Sequence, residues 1–165
     1  MIALKQVLVA TDFSEPSEAA FMYGRALARQ FGATLHVVHV VDQLAARVMG
    51  LHDAVSQLGV LQMEAEATAR TRLDLLLSDE DRAQLGARAT VLTSTSAADS
   101  IVAYARDSRV DLIVVGTHGR GGVARLFMGS VAERVVRSAP CPVLTVRHPE
   151  HEFVLPDALQ AVSHA

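Results

Sequence analysis

Residues 111–130 have the sequence DLIVVGTHGRGGVARLFMGS, and this stretch decides the fold and locates the candidate site. Its first six residues, 111–116, are nearly all apolar, which predicts a strand buried on both faces of a sheet. Residues 117–128 show no clear period and contain three glycines, so we expect a loop there. A helix is predicted to follow at once, over residues 130–138. A buried strand, a glycine-rich loop and a helix are typical of ligand-binding α/β domains.

Strands and helices alternate through the rest of the chain as well. Further strands are predicted at Gln6–Thr11, Thr34–Val41, Ala87–Thr93 and Cys141–Arg147, and further helices at about 15–31, 53–77 and 96–107. This alternation predicts an α/β fold with a doubly wound, five-stranded parallel sheet of order 3-2-1-4-5, Rossmann-like, with helices on both faces. We expect one domain over residues 1–147 and a peripheral tail over residues 148–165.

Composition limits the classes of function. Half of the 165 residues are apolar, yet no apolar run reaches the roughly 18 residues of a membrane span. The net charge is −3 and the basic residues are dispersed, which argues against nucleic-acid binding through a broad basic face. Cys141 is the single cysteine, so no internal disulfide can form and a cytoplasmic, reducing location is expected.

The predicted strand order places a ligand site between strands one and four. Ligands of open parallel sheets bind beyond the carboxyl ends of the strands, where the strand order reverses. Asp12 follows strand one, and Gly116 ends strand four. Glycines let a backbone approach a phosphate closely, and the helix that starts at Ser130 presents unpaired N–H groups. Three basic residues in the intervening loop could add positive charge: His118, Arg120 and Arg125.

Each of these features also has a purely structural interpretation. Ser130 and Glu133 form S-x-x-E, the pattern of a capping box, so the serine could simply cap its own helix. Gly116 alone is more often a turn glycine, and Asp12 alone is more often a cap or a solvated turn residue. Their combination at a strand end and a helix start, in the expected crevice, favours an anion-binding site.

The segment 116–130 resembles the G-x2-G-x9-G-[ST] motif of ATP-binding universal stress proteins, and its spacing matches without gaps. Three other stretches are similar to the same family: VLVATDFS at 7–14, HVVHVVD at 36–42 and CPVLTVR at 141–147. The resemblance covers about residues 3–147. It implies an ATP-binding regulatory or stress-response protein that hydrolyses ATP slowly at most.

The resemblance also implies a role for individual positions. Around the nucleoside it implies Ala10, Thr11, Asp12, Val40, Val115 and Gly116. Asp12 would contact the ribose or a phosphate bound to Mg²⁺, and Val40 would meet adenine through its backbone. Four residues would hold the phosphates: Gly119, Gly129, Ser130 and Val131. The family is typically dimeric, which implies a homodimer through the last strand at Val143, Leu144, Thr145 and Val146.

Several other classes of site fit the sequence poorly. Lys5 is the only lysine, so neither a P-loop nor the kinase set of residues is present. A G-x-G-x-x-A match at residues 119–124 lies inside the predicted loop, where a dinucleotide fingerprint does not belong. His36 and His39 should point to opposite faces of strand two and therefore cannot easily share a metal. The main alternative is an interaction module of the same fold that works without nucleotide.

Overall fold

A computed structural model describes residues 3–43, 52–117 and 128–147. Five strands form one parallel sheet: β1 (Gln6–Ala10), β2 (Thr34–Asp42), β3 (Arg88–Ser94), β4 (Leu112–Gly116) and β5 (Val143–Val146). Their order is β3-β2-β1-β4-β5, so the predicted 3-2-1-4-5 sheet is confirmed. The predicted tail lies outside the described residues.

Five helices cover the sheet: α1 (Glu15–Phe31), α2 (His52–Leu76), α3 (Asp79–Leu85), α4 (Ala97–Asp107) and α5 (Ser130–Ser138). The predicted helices end within one or two residues of these bounds. Helix α1 stops at Gly32, whose positive φ of 62° suits glycine. The short helix α3 was not predicted. It is closed by a capping box between Ser78 and Asp81.

The helices form two layers, one on each face of the sheet. On the first face, apolar residues of α1 and α2, such as Phe21 and Leu73, pack against Val7 and Val9 of β1. On the second face, Ile101 of α4 and Val135 of α5 pack against the neighbouring strand residues. Both faces of the central strands are therefore buried, which explains why their sequences are continuously apolar.

A buried ion cluster joins α1 to α3. The carboxylate of Asp81 is only 1% exposed and accepts hydrogen bonds from Arg25 at 2.6 Å and from Arg29 at 3.3 Å. Burial pushes the pKa of Asp81 upward, but hydrogen bonds from Arg25 and Ser78 outweigh it and hold that pKa below its usual value. Asp81 therefore stays ionised and fixes α3 against α1.

His36 belongs to the second face of the sheet and is part of the core. Its Nε2 lies 2.7 Å from Oε1 of Gln6, and its Nδ1 lies 2.9 Å from the hydroxyl of Tyr104. Burial, followed by the positive charge of Arg88, lowers the pKa of His36. The ring centroid of His39 instead lies 4.5 Å from that of Phe13, which packs against the cluster on the first face. The two histidines do point to opposite faces, as their spacing predicts.

The strands β1 and β4 lie side by side at the centre of the sheet, although about a hundred residues separate them. Ala10 pairs with Val115 near their carboxyl ends. At their amino ends, Oδ2 of Asp111 accepts hydrogen bonds from the backbone N–H groups of Lys5 at 2.7 Å and Gln6 at 2.9 Å. This pairing opens the crevice where the strand order reverses.

Candidate functional site

The turn from β1 into α1 forms one wall of the crevice. Thr11 is buried, its N–H donates to the carbonyl of Val38 at 2.9 Å, and its hydroxyl lies 3.0 Å from that of Ser17. The same hydroxyl of Thr11 accepts from the N–H of Phe13 at 3.0 Å. The N–H and hydroxyl groups of Thr11 are therefore occupied by these hydrogen bonds. Thr11 supports the wall of the crevice and does not expose its hydroxyl there.

Asp12, the next residue, is half-buried at the carboxyl end of β1. Its Oδ1 accepts two hydrogen bonds from Ser14, one from the backbone N–H at 3.1 Å and one from the hydroxyl at 2.5 Å. The bond from the backbone N–H closes an Asx turn that leads into α1. The sequence pattern points to Asp12, whereas its two hydrogen bonds with Ser14 become visible only in the structure.

Gly116 ends β4 on the opposite wall, and tight packing explains why it is glycine. A Cβ atom at this position would lie 2.8 Å from both the backbone carbon and the backbone oxygen of Pro16. Such contacts are not seen for real Cβ atoms, and the backbone of α1 cannot give way cheaply. The glycine therefore lets the start of α1 press onto the end of β4.

The start of α5 completes the crevice. The N–H of Gly129 donates to the carbonyl of Thr117 at 2.6 Å, and the N–H of Thr117 donates to Val146 at 2.8 Å. These bonds bring the two ends of the glycine-spaced segment together, next to β4 and β5. Gly119 and Arg120, which lie between those ends, fall outside the described residues.

The capping box suggested for Ser130 and Glu133 does not form. Gly129 is the N-cap of α5, since its carbonyl accepts from the N–H of Glu133 at 2.9 Å. Ser130 is consequently the first residue inside the helix and is exposed, and Glu133 pairs instead with Arg137 at 2.9 Å. A glycine N-cap has no side chain with which to accept from the first-turn N–H groups.

The first turn of α5 therefore directs backbone donors outward. The N–H groups of Ser130, Val131 and Ala132 precede the first intrahelical hydrogen bond. Val131 is 43% exposed, whereas Val135, one turn further along α5, is fully buried. Ala132 takes the buried position instead. The exposed position leaves Val131 accessible beside Ser130.

The wall expected to meet the base is apolar. Ala10 and Val40 are half-buried and pack against the same cluster as Val115, which is only 4% exposed. Val40 lies near the end of β2, opposite Leu92 of β3. The predicted residues of both walls thus lie at the carboxyl edge of β2, β1 and β4, in the order that the sheet imposes.

One contact on this edge was not predicted from the sequence. Phe13 has a positive φ of 62°, which is unusual for a residue other than glycine. Its ring contacts the tilted ring of His39, and the guanidinium of Arg72 lies 4.0 Å from the centroid of the Phe13 ring. Arg72 belongs to α2, so this cation–π contact ties α2 to the turn that carries Asp12.

None of the helices in the described part of the chain combines the length and apolar character of a membrane span. Across residues 3–43, 52–117 and 128–147, no three His, Cys, Asp or Glu side chains are grouped to hold a metal ion.

Comparison with known proteins agrees with the geometry. The model of the universal stress protein family matches residues 3–147. The chain belongs to this family. It is 30% identical over 151 residues to a universal stress protein of Methanocaldococcus jannaschii, covering 90% of this chain and 85% of that one. The solved structure of UspA from Lactobacillus plantarum superimposes with a TM-score of 0.74 at 25% identity, covering 89% of this chain and all of that one (100%).

Two further solved structures contain nucleotides. A universal stress protein from Archaeoglobus fulgidus in complex with dAMP has a TM-score of 0.56 at 24% identity, covering 88% of this chain and 99% of that one. A universal stress protein in complex with cAMP has a TM-score of 0.54 at 22% identity, covering 88% and 98%. At these identities the likeness to both structures concerns the fold.

Proposed function

We propose that this universal stress protein binds ATP, with Mg²⁺, in the crevice between β1 and β4, and serves a regulatory role in the stress response. The observation that carries the proposal is the hydrogen bond from Gly129 to Thr117 at 2.6 Å. This bond brings the end of β4 next to the start of α5, which has no side-chain cap, at the point where parallel sheets bind ligands.

The chemistry of the crevice suits a nucleotide from base to phosphate. Ala10, Val40 and Val115 offer an apolar wall to a base, and the first-turn N–H groups of α5 offer donors to an anion. The dAMP and cAMP complexes of related proteins support an adenine nucleotide as the ligand class. ATP is the nucleotide that the intact glycine spacing favours.

Asp12 is the residue that would meet the ribose or the metal. Mg²⁺ is usually held by one or two carboxylates together with phosphate oxygens and water, and the oriented carboxylate of Asp12 fits that pattern. Mg²⁺ held there would neutralise part of the phosphate charge.

Slow turnover at most is expected from the position of the only lysine. Lys5 directly precedes β1, and its N–H is bound to Asp111 at the amino edge of the sheet, opposite the crevice. It cannot supply the charge that a P-loop lysine gives to the β- and γ-phosphates. The crevice is therefore better suited to holding ATP than to hydrolysing it rapidly.

Equilibrium binding of ATP to the purified full chain tests the proposal, by calorimetry with and without Mg²⁺. We expect saturable binding by the wild type and weaker binding by Gly129→Val. The matched control is Gly59→Val, the same substitution at an exposed glycine of α2 where an added Cβ would meet nothing within 4 Å. No binding at millimolar ATP with Mg²⁺ would overturn the proposal and favour the nucleotide-independent interaction module.

The proposal includes a homodimer through β5 and a cytoplasmic location. Strand β5 is an edge strand, and Val143, Leu144 and Thr145 on it are half-buried in the single chain. An apolar edge strand is a liability unless it is covered. Light scattering should give a dimer mass, and Leu144→Lys should lower it to that of a monomer. A wild-type monomer at high concentration would argue against this interface.

The single cysteine, Cys141, supports the proposed cytoplasmic location, because one thiol forms no internal disulfide and needs no oxidising compartment.

A further inference from the structure

We propose that Ser14 is a positioning residue for the nucleotide, acting through Asp12; this assignment rests on the proposed function. Ser14 stands at the N-cap position of α1, where serine ordinarily satisfies a first-turn N–H group. Its backbone is extended, with φ −89° and ψ 161°, as an N-cap should be. Even so, its side chain makes no capping hydrogen bond.

The other serine caps of the molecule behave differently. In α3, the hydroxyl of Ser78 accepts from the N–H of Asp81 at 3.1 Å. In α4, the hydroxyl of Ser96 accepts from the N–H of Asp99 at 3.5 Å. Both helices thus use their N-cap serine for capping. In α1 the hydroxyl of Ser14 donates to Oδ1 of Asp12 instead.

Two features of α1 allow this use of the hydroxyl. Pro16 lies in the first turn and has no N–H group, so the helix start has one donor fewer to satisfy. Ser17 donates its hydroxyl to the carbonyl of Ser14 at 2.8 Å and lies 3.0 Å from the hydroxyl of Thr11. The turn is therefore closed by Thr11 and Ser17, without the side chain of Ser14.

The hydrogen bonds of Ser14 act on the side chain of Asp12. Two donors from one residue, the N–H and the hydroxyl of Ser14, meet the same carboxylate oxygen and fix the orientation of the carboxylate. A carboxylate held in place before binding does not lose rotational freedom on meeting a ribose hydroxyl or hydrated Mg²⁺. Removal of the hydroxyl should therefore weaken ATP binding by about threefold to tenfold, the usual effect of immobilising one such side chain.

The test compares ATP dissociation constants with thermal stability in the full chain, for five variants: Ser14→Ala, Ser14→Thr, Asp12→Ala, Asp12→Ala/Ser14→Ala and the control Ser78→Ala. We expect Ser14→Ala to bind ATP more weakly while its melting temperature, without nucleotide, falls less than that of Ser78→Ala. Ser14→Thr restores the hydroxyl and should restore affinity. The double variant should bind no more weakly than Asp12→Ala, because Ser14 acts through Asp12.

Three results would overturn the assignment. Wild-type affinity in Ser14→Ala alongside weaker binding in Asp12→Ala would show that the hydroxyl does not prepare the carboxylate. Additive losses in the double variant would show that Ser14 acts independently of Asp12. A melting temperature of Ser14→Ala as low as that of Ser78→Ala, with no rescue by threonine, would make Ser14 an ordinary cap. Absence of ATP binding by the wild type would instead overturn the proposed function itself, and the assignment with it.

Discussion

Gly116 and Gly129, at the two ends of the glycine-spaced segment, differ in how far the local structure requires a glycine. At Gly116 a side chain is excluded because its Cβ would lie 2.8 Å from the backbone of Pro16. At Gly129 the backbone has φ −60° and ψ 146°, a conformation that any residue adopts easily. Packing of α1 on β4 thus accounts for Gly116, whereas backbone conformation does not account for Gly129.

A spaced glycine motif can therefore combine two positions with unlike roles. One end belongs to the framework that holds the crevice open, and the other end belongs to the surface that would face a ligand. Loss of function after a change at Gly116 would therefore say little about ATP, because the fold itself depends on that glycine.

Gly116→Val should lower the free energy of unfolding by about 3 kcal/mol, because the added side chain overlaps the backbone of Pro16. Urea denaturation of the apoprotein measures this change. Gly116→Ala should show a smaller loss in the same direction. A Gly116→Val variant as stable as the wild type would mean that α1 can shift away from β4, and the framework role of this glycine would be lost.

Gly129→Val should lower the free energy of unfolding by no more than about 1 kcal/mol, the cost of a poorer N-cap residue. Its affinity for ATP should fall at least about tenfold, or roughly 1.4 kcal/mol, since a branched side chain would obstruct the approach of a phosphate to the first turn of α5. Calorimetry and denaturation on the same sample separate the two effects. Equal affinity for ATP would place the phosphates elsewhere.

Two serines near helix starts should also separate an effect on stability from an effect on ATP binding. Ser96→Ala should lower the free energy of unfolding by about 1 kcal/mol, because Ser96 caps α4. Ser130→Ala should cost little stability, because Ser130 follows the N-cap, but it should weaken ATP binding severalfold. If Ser130→Ala destabilises the chain as much as Ser96→Ala does, Ser130 is a structural residue after all.

Acidification should act on the framework at a site distant from both glycines. Because burial, and then Arg88, lower the pKa of His36, the unfolded chain takes up a proton near pH 6.5 that the folded chain does not. The contribution of His36 to stability is therefore complete above pH 6.5 and is lost as the pH falls through its lowered pKa. Denaturation between pH 7.5 and 5.5 should show this decline, and His36→Gln should flatten it. An unchanged slope in His36→Gln would assign the decline to other groups.

The parts of the fold that depend on local pattern were predictable. Buried parallel strands have continuous apolar sequences, and Gly32 ends α1 where a left-handed residue is needed. From the strand order it followed that Asp12 and Gly116 would end adjacent strands, because the order 3-2-1-4-5 makes β1 and β4 neighbours. That single topological inference located the crevice.

The parts that depend on distant contacts were not predictable. Asp81 is buried only because Arg25 and Arg29, more than fifty residues earlier in the chain, surround it. The clash that makes Gly116 necessary involves Pro16, on a different element. Ser130 fits the capping-box pattern, yet the carbonyl of the preceding glycine begins the helix. Sequence spacing alone does not tell whether a helix is capped by a given residue or by the residue before it.

The hydrogen bonds from the N–H groups of Lys5 and Gln6 to Asp111 have a consequence for folding kinetics. These bonds join residues that are 106 and 105 positions apart. A long loop of chain must therefore close before the contacts between β1 and β4 can form. Non-local parallel pairing of this kind is slow. The crevice lies on the same junction, so a newly made chain would become able to capture a nucleotide only after this late pairing. Nucleotide capture would then report that folding is complete.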